Sequence, residues 1–359
     1  MADYTTVNDA SAFFQCHLYS GTGSSNSVTL GGNSDLQPDL VWIKSRNQSG
    51  YNPNWTDSIR GVTKIIWPNR TNAQNTYADS LTAFNSDGFT IGADSANGEQ
   101  NLNGESYVSW NFKAGTSASG NTTGSGTAKS YTASVSTTAG FSITSFTGNG
   151  TANHTLPHNL GTVPDFFVIK KYGGSGDSTQ RDWNAFHTSL GNTKRIEFND
   201  EAAPSTSNEY WNDTSPTSSV INLGTNDQIN GNNNTYICYA FSERRGYSKF
   251  GSFVGNGQTD GVFVFCGFQP ALVIIRKTSG TGDWEVLDNK RLGYNPRVET
   301  LATNNSSAEG NYNRIDILSN GFKVRSSSGN VNTSNGDYIF LAFAQNPLVT
   351  STGVAGTAR

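Results

Sequence analysis

Charge is what this sequence has least of. Asp, Glu, Lys and Arg make up 14% of its 359 residues, against about a quarter in an ordinary soluble domain. The net charge is −4 with histidine neutral, and no run of Lys or Arg stands out. That excludes the concentrated basic face a nucleic-acid binder presents. Cysteine is nearly absent. Cys16, Cys238 and Cys266 are odd in number and each lies inside an apolar or aromatic run, so they read as buried small hydrophobic residues rather than a disulfide framework or metal ligands. No apolar stretch approaches the roughly 18 residues that a membrane span needs, so no membrane insertion is expected. The start, MADYTTVNDA, has neither the basic nor the apolar region of a secretory signal. Scarce charge does not imply disorder here. Disordered chains are charge-rich and poor in aromatics, whereas aromatics reach 11% of this chain. With 39 glycines and abundant Asn, Ser and Thr, the composition fits short strands of aromatic and β-branched residues joined by many tight turns.

Catalytic signatures are missing as well. The sequence has no Gly-x-Ser-x-Gly elbow, no phosphate-binding loop and no Cys-x-x-Cys. His154 and His158 stand four apart, a spacing that binds zinc on a helix. Pro157 and Asn159-Leu160-Gly161 instead put them in a turn, where that spacing loses its meaning. Asp57, Asp182, Asp283 and Glu285 lie beside tryptophans. A glycosidase needs two carboxylates about 5–10 Å apart in a cleft, and a carboxylate recurring beside Trp reads better as a strand-end cap. The chain is therefore expected to be no enzyme, with no cofactor and no metal site.

What the sequence does have is one pattern written three times. Each repeat opens on a small turn: Ser20-Gly21-Thr22-Gly23, Thr147-Gly148-Asn149-Gly150 and Val254-Gly255-Asn256-Gly257. A proline and a dense apolar run follow: Pro38-Asp39-Leu40-Val41-Trp42-Ile43-Lys44, Pro164-Asp165-Phe166-Phe167-Val168-Ile169-Lys170 and Pro270-Ala271-Leu272-Val273-Ile274-Ile275-Arg276. Such runs predict a strand buried on both faces, with proline tolerated at its first position. Then comes a tryptophan strand at Trp55, Trp183 and Trp284, with a glycine beyond it at Gly61, Gly191 and Gly293. Repeats 1 and 3 share Ser86-Asp87-Gly88-Phe89 and Ser319-Asn320-Gly321-Phe322, read as hairpins with type I′ turns. Repeat 2 has Ile221-Asn222-Leu223-Gly224 instead. Each repeat closes on an aromatic strand beginning at Tyr107, Tyr236 or Tyr338. Pro38 to Tyr107, Pro164 to Tyr236 and Pro270 to Tyr338 span 69, 72 and 68 residues.

The expected fold is all-β: three tandem antiparallel β-sandwich modules of jelly-roll or lectin-like type, with a common repeat pattern. Residues 1–114 form the first module and 115–139, rich in Gly, Ser, Thr and Ala, a flexible linker or extended arm. Residues 140–247 and 248–347 form the second and third modules, packed as a rigid pair, and 348–359 form an exposed tail. Two surface features stand out. The basic pairs Lys44/Arg46, Lys170/Lys171 and Arg276/Lys277 end the buried strand in every repeat, either as solvated strand ends or as contacts to an anionic sugar or a partner chain. Repeat 2 alone carries Tyr210-Trp211-Asn212-Asp213. Adjacent aromatics on a polar loop can stack a sugar ring while Asn and Asp bond its hydroxyls, so these four are the candidate glycan-binding residues. The alternative is that Trp211 packs over its own sandwich edge.

The strings PDLVWIKSR, DSIRG, LTAFNSDGFTIG and YVSWNFKAG in repeat 1 resemble a module of tail-fibre-like structural proteins of marine and cyanobacterial tailed phages. TGNGTANHTLPHNLGTVPDFFVIKK, YWNDTSPTSSVINLGT, GYSKFGSFVGNGQTDGVFVFCGFQPALVIIRKT, IDILSNGFKVRSSSGNVN and YIFLAFAQNP resemble companion modules of the same proteins. The resemblance covers most of residues 13–347. It implies a virion protein on the particle exterior, made in the host cytoplasm and released by lysis without a signal peptide. It also implies other virion proteins as partners, a homotrimer, and host attachment through weak multivalent binding to surface glycans. It brings no catalytic residues. No long coiled-coil or β-helical shaft is present, which favours a short fibre, a tip, or a head or baseplate appendage. The alternatives are a purely structural head-decoration, connector or baseplate protein, and a carbohydrate depolymerase acting through Asp182, Asp283 or Glu285.

Overall fold

A computed structural model describes residues 4–174, 181–291, 295 and 299–354. Its elements are almost entirely antiparallel strands, with only short helices between them. Each repeat builds its large sheet, of four, eight and six strands in turn, around the same four strands in the same order: opening strand, closing strand, buried strand, tryptophan strand. In repeat 1 these are Phe14–Ser20, Ser106–Phe112, Leu40–Ser45 and Asn54–Asp57. In repeat 2 they are Phe141–Thr147, Thr235–Phe241, Phe166–Gly173 and Trp183–His187. In repeat 3 they are Ser248–Val254, Asp337–Pro347, Phe268–Lys277 and Trp284–Asp288. A smaller three-stranded sheet covers each one, making a two-layer sandwich.

The dense apolar runs are doubly buried, as their composition predicts. Val41 and Ile43 face the small sheet with Val28, Phe89 and Ile91. Leu40 and Trp42 face the other way, into a core that all three repeats share. Successive strand residues point to opposite faces, so a run without polar interruption is what a sheet covered on both sides requires.

The shared core is organised about a pseudo-threefold axis. Phe112, Phe241 and Phe343 hold one register position, opposite Leu40, Phe166 and Leu272. Their rings meet in a triangle with centroid separations of 5.9, 5.6 and 5.1 Å. The three repeats each supply one sheet to this single core.

Several expectations change. Residues 115–139 are neither linker nor arm. Thr116–Asn121 and Ser130–Ser136 pair with each other, and the latter extends the large sheet of repeat 2, while Thr123–Gly124 joins its small sheet. Small Ser, Thr and Ala side chains suit a sheet edge as well as a flexible tether, and Tyr131, Ala133 and Val135 anchor this one in the repeat 2 core. The Asp-Gly and Asn-Gly pairs do not form type I′ turns, because neither Asp87 nor Asn320 has positive φ. The turns are Ser86-Asp87 and Ser319-Asn320, and each glycine opens the next strand. A Cβ on Gly88 would lie 2.0 Å from the Val28 carbonyl oxygen, and one on Gly321 2.1 Å from that of Val264. Close strand approach demands glycine at both positions, and at Gly88 a φ of 113° demands it as well. The tryptophans are also not strictly equivalent. Trp183 and Trp284 pair with Lys170 and Arg276, whereas Trp55 pairs with Trp42, two residues further along. The two-residue shift keeps all three on the core face. Gly61 and Gly191 turn with φ of 91° and 77°; Gly293 lies outside the described residues.

Two residue types clamp every repeat. The closing tyrosines are buried, and their hydroxyls accept the amides of Leu102, Gly231 and Thr333 at 3.0, 2.6 and 2.7 Å. Six residues before each stands a fully buried asparagine: Asn101, Asn230 and Asn332. Each accepts the amide of the opening turn (Thr22, Asn149, Asn256) and donates back to a carbonyl of the loop that follows it (Ser24, Thr151, Gln258). A buried amide that makes all its bonds fixes the turn, whereas an unpaired one would cost about 1–3 kcal/mol. The Asn-to-Tyr interval of six, constant in the sequence, is the signal that marks this clamp.

Candidate functional site

The residue ending each tryptophan strand reaches the closing strand of the next repeat, and the three contacts close a ring. Asp57 of repeat 1 accepts the Tyr239 hydroxyl of repeat 2 at 2.6 Å. His187 of repeat 2 meets the Phe340 carbonyl of repeat 3 at 3.3 Å. Asp288 of repeat 3 accepts the Trp110 indole of repeat 1 at 3.1 Å. Asp57 and Asp288 are each bound by an arginine three residues on, Arg60 at 2.6 Å and Arg291 at 2.7 Å. Burial raises the Asp288 carboxyl, but Arg291 and the local amides outweigh it, and the group is held below the usual carboxylate range.

His187 does the same work without charge. Its Nδ1 accepts the Ser189 amide at 3.1 Å, so the ring proton sits on Nε2 and is donated to Phe340. Burial pulls its pKa from 6.5 to about 4. The unfolded chain takes up this proton between those values and the folded chain does not, so the stability His187 contributes is complete above pH 6.5 and lost as pH falls towards 4. At about 1.4 kcal/mol per unit the loss is roughly 3 kcal/mol. Asp94, raised to about 6 by burial, works in the opposite sense over the same window, so the prediction concerns a difference. His187→Asn keeps the acceptor and removes the titration. The stability gap between the natural chain and this variant, measured by urea unfolding, should shift by about 3 kcal/mol in the variant's favour between pH 7 and pH 4. Parallel curves would contradict a neutral imidazole.

Four of the six cations in the basic pairs are not solvated strand ends, while Arg46 and Lys277 are half-buried. Lys44, Lys170, Lys171 and Arg276 are all buried. Lys170 donates to the carbonyls of Arg70 and Thr71 in repeat 1 at 3.3 and 3.1 Å, as well as to that of Arg181. Arg276 donates to the Ala202 carbonyl of repeat 2. Arg46 completes the circle with Glu299 and Glu309 of repeat 3 at 2.9 and 2.6 Å. Trp183 and Trp284 likewise donate across repeats, to the carbonyls of Trp67 and Glu197, each at 2.9 Å. The apolar run places a long cation at the core rim; Lys170 and Arg276 reach carbonyls of the neighbouring repeat, whereas Lys44 donates to the Tyr51 carbonyl of its own repeat at 2.9 Å. Sequence reading found the positions and missed the neighbour.

The remaining predicted residues are scattered. Trp211 is 1% exposed, packs edge-on against Phe167 and Phe186 at 4.8 and 6.4 Å, and donates to the Lys194 carbonyl at 3.0 Å. Tyr210 is buried under Arg195, 4.4 Å above its ring. The expected stacking platform is thus inside repeat 2, because a four-residue helix, Asn208–Trp211, turns both rings inward. Asn212 and Asp213 stay at the surface with left-handed φ of 50° and 47°. His154 and His158 lie along and just past the strand His154–Pro157, roughly 13 Å apart at strand rise. His158 is committed to the Thr217 carbonyl and the Leu160 amide. Asp182 accepts amides from Asn199 and Gln228, and Asp283 from Asn304, Asn305 and Asn330. Glu285 is paired with Arg314 at 3.0 Å. Cys16, Cys238 and Cys266 are free and buried.

Exposed apolar residues concentrate elsewhere. Among the described residues, large exposed apolar side chains are Val163, Val254, Phe263, Phe265, Tyr312 and Val354. Three of these, Val254, Phe263 and Phe265, flank the open edge of repeat 3. A cleft of ≈ 250 Å³ lies between its two sheets, lined by Gly251, Phe253, Phe263, Phe265 and Phe340. Across the opening strand, a groove of ≈ 360 Å³ separates repeat 3 from Leu190, Lys194 and Pro204 of repeat 2.

The fold and its surfaces define an all-β protein of three fused sandwiches around one aromatic core. Residues 9–347 match the family described as Domain of unknown function (DUF7483), and the chain belongs to that family. No curated protein matches the chain.

Proposed function

We propose that the chain is an exterior protein of a tailed phage particle that works by contact, binding host surface glycans weakly at several points, with no bond made or broken. The observation that carries the reading is the ring of three sandwiches locked by Asp57, His187 and Asp288. It holds three related sets of loops in fixed relative positions, and rigidly linked weak sites gain avidity of about 10²–10⁴ through effective concentration. Assembly as a homotrimer multiplies them further. The sequence resemblance supports the particle location. Because Tyr210 and Trp211 are buried, the contacts fall to polar groups at the loop surface, of which half-buried Asn212 and exposed Asp213 are the first to test.

Purified protein on a glycan array and on whole host cells tests this. Weak, saturable binding is expected, strengthened at least tenfold when the protein is clustered on beads. Absent binding in both forms removes the adhesive part. A structural connector is the second reading, favoured by the exposed Phe263 and Phe265: two large apolar side chains facing water beside an open sheet edge are what a protein–protein contact covers.

A further inference from the structure

The architecture of repeat 2 indicates what the open edge of repeat 3 lacks. In repeat 2 the opening strand is not an edge. Ser130–Ser136 pairs along it, and Thr123–Gly124 pairs with His154–Pro157 in the small sheet, so a single segment of chain covers both layers. Tyr131, Ala133 and Val135 of that segment are buried among Phe146, Tyr236 and Cys238 of repeat 2.

Among the described residues, no strand pairs with the equivalent strands of repeat 3, Ser248–Val254 and Phe263–Phe265, on that side. Gly251 pairs with Phe340 as Thr144 pairs with Cys238, so Gly251 and Phe253 hold the registers of Thr144 and Phe146. Those are the residues opposite Ala133 and Tyr131. The 250 Å³ cleft, lined by Gly251, Phe253, Phe263, Phe265 and Phe340, therefore lies where repeat 2 is filled by its own hairpin. Glu243 reaches the Phe250 amide at 3.5 Å, leaving the ladder open from Gly251 to Val254. Its other oxygen pairs with Lys249 at 2.9 Å, so the edge offers no unbalanced charge.

We propose that this edge receives an extended strand from a partner protein: an uncharged segment alternating aromatic or small apolar residues with Ser and Thr, as Ser130–Ser136 does. Backbone hydrogen bonds along Gly251–Val254 supply the ladder, and the partner's inward side chains fill the cleft between Phe253 and Phe263. This holds whether or not the protein binds glycans.

The probe is a synthetic peptide of residues 115–137 of this sequence, added to the full chain. Binding is followed by fluorescence anisotropy, and hydrogen exchange locates the site. The expected result is saturable binding with exchange slowed at Gly251–Val254 and Phe263–Phe265. Phe263→Ser with Phe265→Ser, both at exposed positions, should weaken it at least tenfold, and Val254→Lys should do the same should the double variant fold poorly. Three results would each overturn the proposal: no binding; protection confined to Phe141–Thr147, where the peptide has merely replaced its resident counterpart; or self-association through this edge that either variant dissolves, which would make a second copy of the chain the occupant.

Discussion

Phe241→Ala is expected to lower the stability of the entire chain, by about 3–5 kcal/mol, and calorimetry of the variant should still show one transition. Phe241 belongs to repeat 2, but its ring touches Phe112 of repeat 1 and Phe343 of repeat 3 at 5.9 and 5.6 Å, and it stacks on Phe141 at 4.5 Å. Emptying that volume leaves a cavity at the axis, where no sheet can collapse without losing its register with the other two. If the repeats were independent modules on flexible tethers, the variant would split the transition, with one part shifted and the rest unmoved. Calorimetry separates the two outcomes without ambiguity, because a shared core makes all three sheets lose the same contacts at once.

Asp288→Ala should cost a comparable amount, about 3–5 kcal/mol, since it leaves the Arg291 guanidinium buried without its counter-charge. Both side chains are fully buried, and Asp288 is bonded at once by the Arg291 Nε, the Trp110 indole and the amides of Lys290 and Arg291. Arg291 is further held by the Val286 carbonyl at 2.8 Å and lies 5.6 Å over the Trp110 ring. Replacing the pair together, Asp288→Leu with Arg291→Met, removes the uncompensated charge and should restore most of the loss. Urea unfolding of the two variants checks this. A single substitution costing under about 1 kcal/mol would mean that the pair is open to water and that this latch between repeats 3 and 1 is not a closed contact.

The sandwich class was legible because strands buried on both faces leave a plain mark: Leu40-Val41-Trp42-Ile43 and its two counterparts carry no polar interruption. The turn punctuation and the closing tyrosines were legible for the same local reason. The ring was not. A run such as Phe166-Phe167-Val168-Ile169 shows that two faces are covered but does not reveal that one cover is two other repeats. Residues 115–139 misled because Gly, Ser and Thr serve a flexible tether and an edge hairpin alike, and only the burial of Tyr131, Ala133 and Val135 distinguishes them. His187 was invisible because it replaces, without charge, an aspartate whose role needed the neighbouring repeat to be understood. The polar flanks of Trp211 left a sugar platform and a buried ring equally open, and the second holds because Asn208–Trp211 is a single helical turn closing over the core.

The proposed function puts the chain on the outside of a phage particle, acting by contact alone. Gold-labelled antibody against the full chain, applied to intact purified virions of a tailed phage whose genome carries its gene, tests this proposal most directly. Label on unopened particles, at the tail, baseplate or head surface, is the predicted result. Label that appears only after the capsid is broken, or virions that lack the chain altogether, would contradict it.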